Sequence, residues 1–181
     1  MQPNNKDARE KYDQTVKEHR LRQFQMCLGY ESQKVSINVE DIAVEASYAG
    51  PRLEKSTDEI DSKWVESLMK WQKDQKVLHK KYACMIIQSA KEIFEKNKSM
   101  VDIQRGDEEE ITVCGDIHGQ YYDLLNIFEI NGIPSKANPY VFNGDFIDRG
   151  SFSVEVIVCM LSWKVCYPNH FFMSRGNHET M

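Results

Sequence analysis

Three apolar runs, each broken by a glycine and followed by an acid or amide, constrain this chain more than any other feature. They are ITVCGDIHG at residues 111–119, PYVFNGDFIDRG at 139–150 and FFMSRGNHE at 171–179. Each run has the length of a buried strand, and each glycine marks a sharp exit from it. Helix-length segments separate them. Tyr121 to Asn131 carries Leu124 and Phe128 at helical spacing before Gly132 and Pro134. Ser151 to Cys166 carries Val154, Val158, Leu161 and Val165 as an expected apolar face before Pro168. Strand, helix, strand, helix, strand predicts an α/β fold with parallel strands and right-handed crossovers. The acids and amides then all emerge at the carboxyl edge of one sheet, where open α/β sheets build their sites.

That edge collects a metal-ligand set. Asp116 and His118 stand two apart on a loop, so both side chains can converge on one ion. Asp145 arrives from the second strand and Asn177 from the third. Carboxylate and amide oxygens with one imidazole suit Mn, Fe or Zn better than a thiolate-loving ion. A shared carboxylate is how a dinuclear centre is held, and Asp145 is placed to be the bridge. The competing explanation makes Asp116 and Asp145 helix N-caps and the glycines only turns. Three such loops at one sheet edge favour the metal.

The three motifs GDIHG, GDFIDRG and GNHE resemble those of the PPP-type, calcineurin-like metallophosphoesterases, the phosphoprotein phosphatases. The runs NGDFIDRGSFSVEVI (143–157), YYDLLNIF (121–128), YAGPRLE (48–54) and WQKDQK (71–76) are similar to its TPR-containing branch. The resemblance implies the first half of a calcineurin-like β-sandwich flanked by helices, behind a TPR-end remnant and a linker. It implies two divalent ions, Mn before Mg, Fe or Zn, with Asp116, His118 and Asp145 on the first and Asp145 and Asn177 on the second. His178 is then the general acid and Asp148 the carboxylate that orients it. Arg149, with Asn177 and His178, faces the substrate phosphoryl group. The implied activity is hydrolysis of phosphoserine and phosphothreonine on phosphoprotein substrates by a metal-activated water. A heat-shock chaperone is the partner implied for the TPR repeats.

The family pattern adds two histidines and an arginine from later strands. Here His19, His79 and His170 all precede the third motif, and the sequence ends at Met181. The chain is therefore expected to be truncated at both ends, with the second metal site part-built and one sheet edge and face uncovered. A non-catalytic fragment acting only by binding is the alternative. A third reading keeps the chemistry for a small phosphoester such as a diadenosine polyphosphate.

The rest of the chain is plainer. Hydrophobic residues make up 41% and the net charge is −5, which suggests neither disorder nor a nucleic-acid partner. No apolar run has membrane-spanning length. Cysteines 27, 84, 114, 159 and 166 show no Cys-x-x-Cys pairing and suit buried thiols in a reducing compartment, the cytoplasm and also the nucleus. Residues 1–29 are expected to hold the trailing helix of a TPR domain, with Ala8, Tyr12, Val16, Leu21, Phe24 and Leu28 as an irregular stripe and Gly29 as its stop. No thirty-four-residue repeat accompanies it. Residues 30–61 are rich in acids and include Gly50-Pro51, and are expected to be a linker with Val35–Val39 and Tyr48–Pro51 extended. The phosphatase half-domain then spans 62–181, opening with two helices over 62–97 that break near Asp74 and use Trp64 and Trp71 as core anchors. Asn97 to Glu110 is a polar connector.

The expected outcome in solution is little or no phosphatase activity for the 181-residue chain purified with manganese, because charge stabilisation by the second ion is incomplete. A phosphopeptide rate within about tenfold of a full-length relative would overturn it.

Overall fold

The computed structural model describes residues 6–30, 37–53, 60–103 and 110–180. One compact unit carries α1 (Lys6–Tyr30), and a second runs from Asn38 to Thr180. Helix α1 passes through the expected stop at Gly29 to Tyr30, and Tyr12, Leu21 and Phe24 are exposed along it. Residues 35 and 36 lie outside the described residues, as do 107–109 of the acidic run and the side chain of Cys27.

In the second unit the helices are α2 (Ser62–Lys73), α3 (Lys80–Lys96), α4 (Tyr121–Asn131) and α5 (Ser153–Cys166). The strands are β1 (Thr112–Cys114), β2 (Tyr140–Phe142) and β3 (Phe171–Met173). They pair in parallel in the order β1-β2-β3, with Thr112 beside Tyr140 and Tyr140 beside Phe171. Alternation divides the sheet. Cys114, Tyr140, Phe142 and Phe171 are buried, while the row Val113, Val141 and Phe172 is more open, Val113 being 71% exposed. Helix α5 supplies the centre of the core with Val156, Val158, Cys159, Met160 and Trp163, and packs against α2, α3 and α4. Its buried face is broader than expected and rotated away from Val154, which is 66% exposed.

Local chemistry explains the helix ends. Asp61 caps α2 by accepting from Trp64 N–H at 2.8 Å, and His79 Nδ1 caps α3 by accepting from Lys81 N–H. Between them the chain turns at Asp74 and Gln75, the latter left-handed at φ 58°. Gly132, at φ 82°, ends α4. Trp64 packs at the core margin and donates to Arg52 O at 3.0 Å, and Trp71 donates to Val77 O at 3.1 Å. The stretch expected as a linker is anchored to this unit. Leu53 and Ile60 are core residues, Val44 and Tyr48 pack against the core, and Glu45 pairs with His79 Nε2 at 3.1 Å. Asn38 is extended as expected, and Val39, the last residue expected to be so, instead opens a short 3₁₀ turn over Val39–Asp41.

Lys164 is a buried cation, 2% exposed. Its Nζ donates to Pro168 O at 2.7 Å and Phe171 O at 2.9 Å, tying the end of α5 to the start of β3, and lies over the rings of Phe94 and Phe172. Burial disfavours the ammonium and lowers it from 10.5 to about 8. Between those values the unfolded chain holds a proton that the folded chain has released. This group's contribution to stability therefore rises with pH across that window. Melting curves of wild type and Lys164→Met should diverge in favour of wild type from about pH 8 to 10.5; curves that stay parallel would overturn the assignment.

Candidate functional site

The loops leaving β1 and β2 are knitted together by their backbones. Ile117 and His118 N–H both donate to Asp145 O, at 3.0 and 2.9 Å, Gly119 N–H donates to Phe146 O at 2.8 Å, and Gly150 N–H to His118 O at 2.9 Å. Within this knot four non-glycine residues adopt left-handed backbone: His118 (φ 45°), Asp145 (54°), Asp148 (68°) and Arg149 (62°). Such conformations cost on the order of 1–3 kcal/mol each and persist where the surroundings enforce them, typically at functional sites. Gly144, at φ 102°, lies against the backbone of Gly176, so a side chain there would collide with the third loop.

Neither Asp116 nor Asp145 caps a helix. The N-cap positions of α4 and α5 belong to Gln120 and Phe152. Instead Asp145 Oδ1 accepts from His178 N–H at 3.0 Å, across from β2 to the loop after β3. His118 is buried, and its Nδ1 lies 2.9 Å from Ile147 O. A carbonyl only accepts, so Nδ1 carries the proton and Nε2 presents a lone pair. That Nε2 is buried with no hydrogen-bond partner, and the carboxylate atom nearest it, Asp116 Oδ2, stands 3.6 Å away. Two facing lone-pair donors call for a cation.

His118, Asp145 and His178 each bring one potential ligand atom within 4.8 Å of the others, and the two imidazoles meet edge to face at 4.7 Å. His178 differs from His118 in having both nitrogens engaged. Its Nδ1 is 3.0 Å from Asp148 Oδ2, and its Nε2 is 3.3 Å from Arg149 Nη2. A carboxylate accepts and a guanidinium donates, so Nδ1 donates to Asp148 and Nε2 accepts from Arg149. Asn177 stands exposed on the same loop, its carbonyl accepting from Thr180 Oγ1 at 2.6 Å. His170 lies at the opposite end of the sheet, where its carbonyl accepts from Tyr140 N–H.

Two supporting side chains had no role assigned from the sequence. Glu179 accepts from the N–H groups of Asp145 (2.8 Å), Phe146 (2.7 Å) and Gly176 (2.8 Å). Ser153 Oγ accepts from Asp148 N–H at 3.1 Å. Both sit three residues after a loop glycine, Gly176 and Gly150. A Glu reaching back three residues to a backbone N–H is the capping-box spacing, and that signal could have found Glu179 through Gly176; nothing local marks the reach of Ser153 to Asp148.

Comparison with known proteins agrees with this architecture. The family model described as the PPP5 TPR repeat region matches residues 12–102, and that of the calcineurin-like phosphoesterases matches residues 110–181. Human serine/threonine-protein phosphatase 5 is 46% identical over 99% of this chain and 36% of its own length. Serine/threonine-protein phosphatase T of Trypanosoma brucei brucei is 42% identical over 99% of this chain and 38% of its own. A solved serine/threonine phosphatase of Saccharomyces cerevisiae, with similarity to human phosphatase PP5, superposes with a TM-score of 0.59 at 43% identity. The match covers 62% of this chain and 38% of the yeast chain. The chain thus spans little more than a third of the length of these relatives. With a PPP5-type TPR region leading into the start of a calcineurin-like phosphoesterase domain, it belongs to the serine/threonine-protein phosphatase 5 family.

Proposed function

We propose that these residues form the metal-binding and proton-handling half of a protein-serine/threonine phosphatase site. The observation that carries this is the buried, unpartnered Nε2 of His118 facing Asp116, with the Asp145 carboxylate gathered into the same cluster. Asp116, His118 and Asp145 would hold one divalent ion, and Asp145 with Asn177 would contribute to a second, manganese being the first candidate. Two such ions acidify water and neutralise phosphoryl oxygens.

The remaining roles belong to side chains with a different hydrogen-bond pattern. Asp148 accepts from His178 Nδ1 and fixes the ring, so that Nε2, after taking up a proton from solvent, can pass it to the departing serine or threonine oxygen. Arg149, resting beside Nε2, forks onto the phosphoryl oxygens when substrate arrives and frees that nitrogen. Phosphoprotein substrates, and a chaperone partner engaged through TPR repeats, are proposed for the whole protein. The free thiols Cys84, Cys114, Cys159 and Cys166 are compatible with a reducing cytoplasm or nucleus.

Role assignments separate by metal content and leaving group, measured in a phosphatase of the relatives' length. Asp145→Asn should lower bound metal and turnover together. His178→Asn should keep its metal and lose roughly 10²–10⁴ in turnover on alkyl phosphates, the usual worth of a positioned acid. That loss should shrink on an aryl phosphate, whose phenolate departs unprotonated, and Asp148→Asn should act as a milder version. Loss of metal from His178→Asn, or equal losses on both substrates, would show that His178 is not the acid.

A further inference from the structure

We infer that Glu179 is a positioning residue that sets the Asp145 carboxylate for metal, an inference that rests on the metal-centre reading above. The three N–H groups it takes lie just past the strand ends, where the sheet ladder no longer supplies acceptors. Glu179 Oε2 accepts from Asp145 and Gly176, and Oε1 accepts from Phe146. With three donors directed at its two oxygens, this carboxylate is committed to backbone rather than to an ion. It also stands outside the cluster formed by His118, Asp145 and His178.

The consequence falls on Asp145. Its backbone N–H is held by Glu179 while its Oδ1 is held by the N–H of the adjoining His178. Main chain and side chain of one aspartate are thus gripped by two consecutive residues of another loop. This double grip enforces the left-handed backbone at Asp145 (φ 54°) and fixes where its carboxylate points. The Glu179 carboxylate also draws Gly176 against the loop that carries Gly144, where no side chain fits. Removing the acceptor frees Asp145 to relax toward ordinary backbone and swing its ligand oxygen out of the cluster. Partners that orient a ligand commonly govern metal affinity as strongly as this.

The test compares the 181-residue chain with Glu179→Gln and Glu179→Asp. Gln replaces one acceptor with a donor facing N–H groups; Asp keeps the charge but falls short by one methylene. Amide exchange in the metal-free chain should lose protection selectively at Asp145, Phe146 and Gly176, with the strand amides of Thr112 and Tyr140 unchanged. Manganese affinity, read by titration, should weaken roughly 10–100-fold in the Gln variant and less in the Asp variant. Protection retained at the three amides, or manganese affinity within about twofold of wild type, overturns the positioning role. Should Glu179→Gln fail to fold, the Asp variant decides by the same two measurements. If wild type takes up no manganese, the metal-centre reading falls instead, and the exchange pattern alone decides whether Glu179 clamps the loops.

Discussion

The structure of this site depends on backbone hydrogen bonds made between loops after the β-ladder has ended. The carbonyl of Asp145 takes two N–H groups from the β1 exit, and the carboxylate of Glu179 takes three from the β2 and β3 exits. These contacts satisfy polar groups that would otherwise be stranded near the sheet edge. They also enforce left-handed backbone at four residues that would not choose it in isolation. The side chains that could hold metal are attached to that enforced backbone, so geometry at the site follows from main-chain bonding first.

The two histidines show how small differences in surroundings divide labour. Both rings donate from Nδ1, and their centroids lie 4.7 Å apart. His118 gives its proton to a carbonyl, so its buried Nε2 has only an electron pair to offer and faces Asp116. His178 donates its Nδ1–H to the carboxylate of Asp148, which fixes the ring with Nε2 turned toward Arg149. One environment favours a ligand and the other a proton carrier, which supports the proposed division of roles.

Beneath the loops the scaffold is conventional in its physics. Helix α5 buries an almost continuous apolar surface, and Lys164 at its end spends its ammonium on two carbonyls at the start of β3. Tyr121 at the head of α4 reaches Met69 O on α2 at 3.2 Å, and the residues before α2 are pinned through Tyr48, Leu53 and Trp64. The end of α5 and the start of β3 are therefore tied on the side away from the site. The loops at the carboxyl edge are held chiefly by one another.

The sequence by itself determined the order of strands and helices, their parallel pairing and the collection of Asp116, His118, Asp145, Asn177 and His178 at one edge. Apolar runs ended by glycine leave little choice there, because length and local exit geometry are properties of the segment alone. Helix limits near Asp74 and Gly132 were legible for the same reason. Tertiary structure decided what depends on neighbours distant in the chain. It rotated the buried face of α5 away from Val154, since three other helices pack around it. It drew Leu53 and Ile60 out of an apparent tether into the core, because acidic composition does not reveal what lies beside the occasional leucine. It left His118 Nε2 without a partner and gave Glu179 three, distinctions of hydrogen bonding that exist only once separate loops have met.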